Sequence, residues 1–142
     1  MRGVLACAAI VVCALLLPAT ASARPFTDLT SLTPTNQEGQ RLDQVRRGRD
    51  RVLVVGFRMI DAPLSAGYRV RVSATLRRRD DKLVIKSKMA PVVYTGAYRF
   101  SLPLRVPRTF DPGNYRVLGL VEVLDGKRVV AKDTRLRDLK VL

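Results

Sequence analysis

The sequence contains no histidine and no tryptophan, and its two cysteines, Cys7 and Cys13, both lie close to the start of the chain. Without histidine the chain cannot form a Ser-His-Asp triad, a Cys-His pair or a zinc site that uses histidine. Without tryptophan it lacks the usual aromatic anchor for stacking on a sugar, although four tyrosines remain. No residue spacing indicates a cofactor, a metal ion or a small-molecule substrate, so we expect a protein that is not an enzyme.

The first 23 residues have the three parts of a secretory signal peptide. Arg2 gives a positive start, the run from Val4 to Leu17 is apolar, and Ala21-Ser22-Ala23 offers a cleavage site between small residues. The apolar run is shorter than the about 20 residues of a spanning helix, which argues against an uncleaved anchor. We therefore expect cleavage after Ala23, export to the periplasm or the cell exterior, and a mature chain with neither thiols nor a transmembrane helix.

Positive charge is in large excess, because 26 lysines and arginines stand against 12 aspartates and glutamates, for a net charge of +14. Arg2 is the one charged residue of segment 1–23, so nearly all of this excess belongs to the remainder of the chain. Such a charge favours anionic partners, for example envelope polymers, lipid head groups, acidic polysaccharides or nucleic acid. The alternative is a solvated surface whose arginines reflect genome composition.

Two regions of different composition follow the signal segment. Residues 24–44 are rich in Thr, Pro, Ser, Asn and Gln and poor in large apolar residues, which predicts a flexible N-terminal arm. Residues 45–142 alternate apolar and polar side chains in short runs separated by turn residues, with no convincing helix of three turns. This pattern predicts a single all-β domain, an antiparallel sandwich of about seven strands.

Three local features refine the predicted sandwich. Pro103 interrupts an alternating run, and because proline cannot donate to a ladder we expect its strand at a sheet edge or with a bulge there. Asp125-Gly126 between two apolar runs predicts a β-hairpin with a type I′ turn. In the strand after the hairpin the alternation slips between Asp133 and Asp138, which indicates a bulge in that stretch.

One segment near the C-terminus has a recognisable order. It reads Phe110-Asp111-Pro112-Gly113-Asn114-Tyr115 and continues into alternating Val117, Val121 and Val123. This order resembles the end of bacterial immunoglobulin-like domains and of the similar fibronectin type III modules, over roughly residues 45–142. The resemblance implies an immunoglobulin-like sandwich with a tyrosine corner, in which the phenol of Tyr115 bonds back to the chain upstream. The structural residues are then Pro112, Gly113, Tyr115, Asp125 and Gly126. No active site is implied, because this fold supports many functions.

The strand that follows Gly67 is the main candidate site, because it carries apolar side chains on one face and arginines on the other. Arginine suits phosphate, sulfate and carboxylate, since its guanidinium can donate two parallel hydrogen bonds. If the next strand pairs with this one as a hairpin, Lys86 and Lys88 extend the cationic stripe. The candidate anion- or partner-binding residues are Arg69, Arg71, Arg77, Arg78, Arg79 and Lys86. The alternative is a solvated face whose charges prevent aggregation.

The penultimate predicted strand is apolar on both sides, because its second face carries Leu118, Leu120 and Leu124. Such a strand is either covered or offers a patch for a partner. One hypothesis is that the arm provides the cover, through its large apolar residues Phe26, Leu29 and Leu32.

Adjacent Asp80 and Asp81 stand where a turn is needed, and neighbouring strand residues point to opposite faces. Paired carboxylates for glycoside hydrolysis must instead converge across a cleft. Turn-forming aspartates explain the pair better. A carboxylate-dependent hydrolase is therefore a remote alternative, which a scattered placement of the acidic residues would argue against. The residues concerned are Asp61, Asp80, Asp111 and Glu122.

The leading interpretation is an exported, non-enzymatic binding module of the cell envelope or extracellular space. It would engage an anionic polymer, or another envelope or extracellular protein, through the basic sheet face. The second interpretation is an accessory or spacer domain of an envelope assembly in which the charge is incidental. The sequence leaves open the choice between them, the identity of the ligand and the oligomeric state.

Overall fold

The computed structural model describes residues 24–90 and 94–142, so the predicted signal peptide lies outside the described residues. Within them the chain forms eight strands and one short 3₁₀ turn, Leu64–Ala66. The strands are β1 Phe26–Thr35, β2 Gln44–Val45, β3 Arg51–Ile60, β4 Arg69–Arg78, β5 Asp81–Ala90, β6 Gly96–Leu104, β7 Gly113–Asp125 and β8 Arg128–Val141.

The strands form two sheets, which confirms the predicted all-β, immunoglobulin-like sandwich. One sheet has three strands in the order β1-β3-β6, and the other has five in the order β2-β8-β7-β4-β5. Neighbouring strands run antiparallel, except that the two residues of β2 pair parallel with β8. Eight strands stand in place of the predicted seven or so, because β1 and β2 lie in or beside the predicted arm.

The core lies between the two sheets and is built by the alternation of apolar residues. From the three-stranded sheet, β3 buries Leu53, Val55, Phe57 and Met59. From the five-stranded sheet, the facing layer includes Val70, Val72, Leu76, Val117, Val121 and Val123. Full burial of one such side chain stabilises the fold by about 1.5–3 kcal/mol. The period of two in the sequence therefore determines both which residues are buried and which face of each sheet meets water.

Residues 26–35 form strand β1, whereas the sequence placed them in a flexible arm. The strand pairs with β3 from Phe26, opposite Ile60, to Thr35, opposite Val52. Its composition is polar, and its register shifts by one residue just after Leu29, so the period of two is broken within the strand. These two properties hid the strand from the sequence pattern.

The hypothesis that the arm covers the second face of β7 is wrong. Leu29 and Leu32 are buried, and their side chains lie against Gly119, on the core side of β7. Leu118, on the opposite side, is exposed. The reason is topological: β1 belongs to the other sheet, so its apolar side chains reach β7 only through the core.

Charged side chains of β8 bond to the open edge of β1 across the space between the sheets. Asp133 Oδ2 accepts the N–H of Leu29 at 2.7 Å, and Arg135 donates to the carbonyl of Leu29 at 3.3 Å. Arg137 donates to the carbonyl of Leu32 at 2.8 Å. These contacts satisfy backbone groups of β1 that point away from β3.

The predicted bulge between Asp133 and Asp138 is wrong, and the same contacts explain why the pattern slips there. The register of β7 with β8 is continuous there and shifts instead between Val123 and Leu124, close to the hairpin. The sequence pattern slips because the core-side positions of this stretch hold charged residues that bond to β1.

Two further predictions, the edge position of Pro103 and the hairpin at Asp125-Gly126, can be compared with the structure. Pro103 lies in β6, an edge strand of its sheet, which confirms the expected edge position. The hairpin between β7 and β8 also forms, but its loop is Gly126-Lys127, with Asp125 paired to Arg128. In this loop Gly126 alone has a positive φ, 59°, whereas a type I′ turn needs two. Glycine at the first central position fits a type II′ turn instead.

Candidate functional site

The alternation of β4 turns Arg69, Arg71 and Arg77 outward on the five-stranded sheet, away from the core. Residues opposite one another in a sheet point to the same side, so neighbouring strands add cations to this surface. The added cations are Lys82, Lys86, Arg116, Lys132 and Lys140. Two carboxylates, Glu122 and Asp138, lie among them. We call this outward surface of the five-stranded sheet the basic face.

Arg71 is already occupied by a partner on the same face. Its Nε donates to Oε2 of Glu122 at 2.7 Å, across the β4–β7 pair. This hydrogen bond and the charge attraction raise the pKa of Arg71 above its ordinary value. Most of the positive charge of Arg71 is therefore balanced locally, and the residue offers less to a ligand than its neighbours do.

The β4–β5 hairpin forms, but it extends the cationic stripe only in part. Lys86 is exposed beside the register shift of this hairpin. Lys88 pairs with buried Val72 and points to the core side, where its Nζ lies 5.7 Å from the ring centre of Phe100. The expectation that Lys88 extends the stripe is therefore wrong, because the register shift between the two lysines reverses the side that it faces.

Arg78, at the end of β4, packs against the segment that contains Pro112 and Tyr115. Its guanidinium donates to the carbonyl of Pro112, and its Cζ lies 5.7 Å from the ring centre of Tyr115. Gly113 has a φ of 145°, and a Cβ there would collide with the same guanidinium. Pro112 and Gly113 therefore provide an acceptor and the space that hold Arg78 in place.

The phenol of Tyr115 lies 2.7 Å from the carbonyl oxygen of Asp111, four residues upstream, which confirms the predicted tyrosine corner. The same hydroxyl lies 2.7 Å from Oδ2 of Asp81, and the ring stacks on Phe110 with centroids 6.0 Å apart. Burial and the hydrogen bond to Asp81 raise the pKa of Tyr115 above its ordinary value. The corner ties β7 to the β4–β5 hairpin and so fixes the position of the cations at that turn.

An open depression of about 580 Å³ lies on the basic face next to the β4–β5 turn. Its cations are Arg77, Arg78, Arg79, Lys82 and Arg116. The remaining lining residues are Thr75, Asn114, Leu118 and Leu136. The structure thus brings three of the six predicted residues to one depression, whereas Arg69, Arg71 and Lys86 lie outside its lining.

Sequence reasoning missed Lys82, Arg116 and Leu136. Lys82 and Arg116 flank Arg77 in the sheet, since each is its direct partner on the neighbouring strand. The two-residue turn after Arg78 sets the first of these pairings and could have revealed Lys82 from the sequence. Arg116 depends on the β4–β7 pairing, which joins strands far apart in the chain and has no local signal.

A smaller hollow of about 210 Å³ lies beside the β4–β5 turn and is lined by Arg78, Arg79, Asp80, Asp81 and Asp111. Of the four acidic residues whose scatter would argue against a hydrolase, Asp61 and Glu122 line neither hollow, whereas Asp80 and Asp111 share this one. Asp81 is engaged by the phenol of Tyr115. Within residues 24–90 and 94–142 no group of three acidic side chains is placed to hold a metal ion. The same two stretches contain no apolar helix of the length that a membrane span needs.

Neither a family model nor a curated protein matches the chain. Among solved structures, a Niemann-Pick type C2 protein from Japanese carpenter ant is similar at 9% identity and a TM-score of 0.49, over 87% of this chain and 96% of that one. An immunoglobulin-like protein from Pseudomonas aeruginosa is similar at 13% identity and a TM-score of 0.37, over 86% and 99%.

A β-glucosidase from Listeria innocua is similar at 12% identity and a TM-score of 0.49, over 82% of this chain. The chain spans 16% of the length of that enzyme. At TM-scores of 0.37 to 0.49 these likenesses assign neither a ligand nor a reaction.

Proposed function

We propose that the protein is an exported, non-enzymatic binding module that holds an anionic ligand on its basic face. The observation that carries this proposal is the convergence of Arg77, Arg79, Lys82 and Arg116 on one depression. Arg77, Arg79 and Lys82 come from the single hairpin of β4 and β5, and the pairing of β4 with β7 adds Arg116 from a distant part of the chain.

Of these four cations, Arg79 also lines the smaller hollow, beside Asp80, Asp81 and Asp111. Among the described residues, Arg77, Arg79 and Lys82 take part in no ion pair, and Arg116 approaches Asp138 only at 3.9 Å. Clustered like charges repel one another, and an anion bound between them relieves that repulsion. The arginines add geometric fit, because each can donate two parallel hydrogen bonds to a phosphate, sulfate or carboxylate group.

The frame around the depression supports binding without rearrangement. Strand β4 is paired on both sides, by β5 and by β7, and the tyrosine corner ties the β4–β5 turn to β7. A site whose groups are already held in place loses less conformational entropy when a ligand binds.

The hydrogen bonds that engage the carboxylates near the depression support binding over hydrolysis. Asp81 accepts the phenol of Tyr115 and, at 3.3 Å, the N–H of Asp111, while Glu122 is bound by Arg71. In a glycoside hydrolase two carboxyl groups instead face each other across the space that holds the scissile bond.

Titration with sodium polyphosphate at about 50 mM and about 200 mM salt tests the proposal. We expect binding that weakens steeply over this range, because occupied phosphates release counterions. The triple variant Arg77→Glu, Arg79→Glu, Lys82→Glu should lose affinity by about 100-fold or more, since each basic residue at an anionic surface contributes ~1 kcal/mol.

The matched control is Arg49→Glu, Arg99→Glu, Lys127→Glu, which changes the net charge equally at exposed positions away from the basic face. This control should lose far less affinity than the first triple. Equal losses would mean that overall charge attracts the polymer and that the depression is not a site. Absence of polyphosphate binding by the natural chain would favour the spacer interpretation, whose signature is salt-insensitive capture of one protein partner.

A further inference from the structure

The basic face carries a row of apolar side chains beside its cations. Across the sheet, Thr75 pairs with Val84 on one side and with Leu118 on the other, and Leu118 pairs with Leu136. All three apolar side chains are accessible, with exposed fractions of 67% for Val84, 41% for Leu118 and 60% for Leu136. We call these three residues and Thr75 the apolar row. Contiguous exposed apolar groups with a polar rim mark a place where a ligand or partner binds.

The apolar row runs parallel to a charged row two residues along the strands. That second row holds Lys82, Arg77, Arg116 and Asp138 on successive strands. At 3.4 Å per residue the two rows lie about 7 Å apart. A ligand with an anionic group and no apolar part would use the charged row and leave the apolar row in water.

Across the strands, one end of the depression is cationic and the other end is apolar. Its cationic end lies at the β4–β5 turn, where Arg77, Arg79 and Lys82 come together. Its apolar end lies on β7 and β8, where Leu118 and Leu136 form the lining and Asp138 stands near Arg116. From β4 to β8 is two strand spacings, or about 10 Å.

We infer that the ligand of this depression is an anionic amphiphile, a molecule with a phosphate, sulfate or carboxylate head and one alkyl chain. This inference rests on the proposed function and deepens it. The head binds between Arg77, Arg79 and Lys82, and the chain lies across β7 over Leu118 toward Leu136. Charge and apolar surface thus meet complementary parts of the same ligand.

Alkyl phosphates of increasing chain length test the inference, with inorganic phosphate as the head-only probe. The series butyl, hexyl and octyl phosphate is titrated by calorimetry below micelle-forming concentrations. Each methylene that reaches the apolar row should tighten binding by up to about fourfold, the affinity change that corresponds to full burial of one methylene. The increase should level off once the chain passes Leu136, because β8 is followed only by the two-residue β2 in the sheet.

The double variant Leu118→Ser, Leu136→Ser should flatten this dependence on chain length and should weaken polyphosphate binding far less than the triple variant Arg77→Glu, Arg79→Glu, Lys82→Glu does. Its control is Ile60→Ser, Phe26→Ser on the outer face of the other sheet, where the exposed fractions, 39% and 56%, closely match. The control should keep the full chain-length dependence. Each pair removes one apolar group that is mostly exposed, Leu136 or Phe26, and one that is partly exposed, Leu118 or Ile60, so both variants should fold.

Several results would overturn the inference. If polyphosphate binds but chain length has no effect, the site takes anions only, and the proposed function stands without the amphiphile. If both serine pairs flatten the series equally, the chains adsorb without a site. If vesicles with phosphatidylglycerol bind while monomeric alkyl phosphates do not, a membrane surface and not a single molecule is the ligand. Failure of every anionic probe would overturn the proposed function as well.

Discussion

The outer faces of the two sheets differ, although both sheets follow the same period of two. The outer face of the three-stranded sheet carries Asp28, Arg58 and Arg99, and the first two form an ion pair at 2.8 Å. The basic face carries eight cations, two carboxylates and an accessible apolar row. The inner faces build one apolar core, which charged side chains of β8 border along the edge of β1. The fold thus constrains the inner faces, while the outer face of each sheet is free to differ in composition.

The largest effect is expected from the inner face of the three-stranded sheet, whose contribution we take to be structural. Leu29→Ala removes a buried side chain of β1 and should lower the free energy of unfolding by about 2–5 kcal/mol. Phe26→Ala, at an exposed position of the same strand, should change it by no more than about 0.5 kcal/mol. Urea unfolding measures both. Equal effects would show that β1 does not pack as a strand of the sandwich.

The next largest effect on the free energy of unfolding is expected on the core side of β8, compared with its outer side. Asp133→Ala leaves the N–H of Leu29 without its acceptor and should destabilise the fold by about 1–3 kcal/mol. Asp138→Ala, on the basic face of the same strand, should be nearly neutral, because its contact with Arg116 is long and exposed. Urea unfolding of the two variants makes the comparison. A larger loss for Asp138→Ala than for Asp133→Ala would show that the outer side of β8, and not its core side, stabilises the fold.

A smaller effect is expected at the corner beneath the basic face. Tyr115→Phe removes the hydroxyl that contacts Asp81 and Asp111, and should lower the free energy of unfolding by about 0.5–1.5 kcal/mol at neutral pH. The phenol has a raised pKa in the folded state, so the folded state holds this proton more tightly than the unfolded state does. The stability that it contributes is present below pH 10, the ordinary phenol value, and is lost as the pH rises through the folded pKa.

Absorbance titration of the phenols and urea unfolding at alkaline pH check this linkage. The natural chain should show a phenol titration above the ordinary value of 10, and this late titration should be missing from Tyr115→Phe. The natural chain should also lose more stability than the variant between pH about 9 and pH about 11. A natural chain and a variant with the same alkaline profile would show that the hydroxyl is free in solution.

The smallest effect is expected on polyphosphate affinity, when two arginines of the basic face are changed one at a time. Arg71→Gln should leave polyphosphate affinity almost unchanged, because Arg71 lies outside the depression, six residues from Arg77 along β4 and so about 20 Å away, beyond the reach of a screened charge. Arg77→Gln should weaken it by about fivefold, the loss of one basic residue at an anionic surface. Calorimetric titration of the two variants decides the matter. A similar loss for both would mean that the face binds through its total charge.

Much of the fold could be predicted from the sequence, because the decisive signals are local. The alternation of β3, the proline of β6 and the short segment before Tyr115 each report on their own neighbourhood. Strand β1 escaped prediction because a one-residue register shift near Leu29 breaks its period, and because its hydrogen-bonding partners on β8 lie about a hundred residues away.

The candidate site was only half predictable, for a related physical reason. Arg77 and Arg79 belong to β4 and its turn, and the alternation of one strand reveals them. Leu136 faces Leu118 only because one extra residue of β8 is inserted near the hairpin. Without that bulge, Arg135 would stand opposite Leu118, since a shift of one residue moves every side chain to the other face. A sequence pattern does not locate such an insertion, and the apolar row depends on it.

The bonds between β8 and the edge of β1 have a consequence for how copies of this chain behave together. A free strand edge invites pairing with an edge of another molecule, which is the first step of fibre growth. Asp133, Arg135 and Arg137 occupy backbone groups of β1 that an incoming strand would need. A second chain would have to displace these three charged contacts to pair with the stretch from Leu29 to Leu32. The sandwich is therefore guarded against strand addition at β1, and concentrated solutions should resist aggregation through that edge.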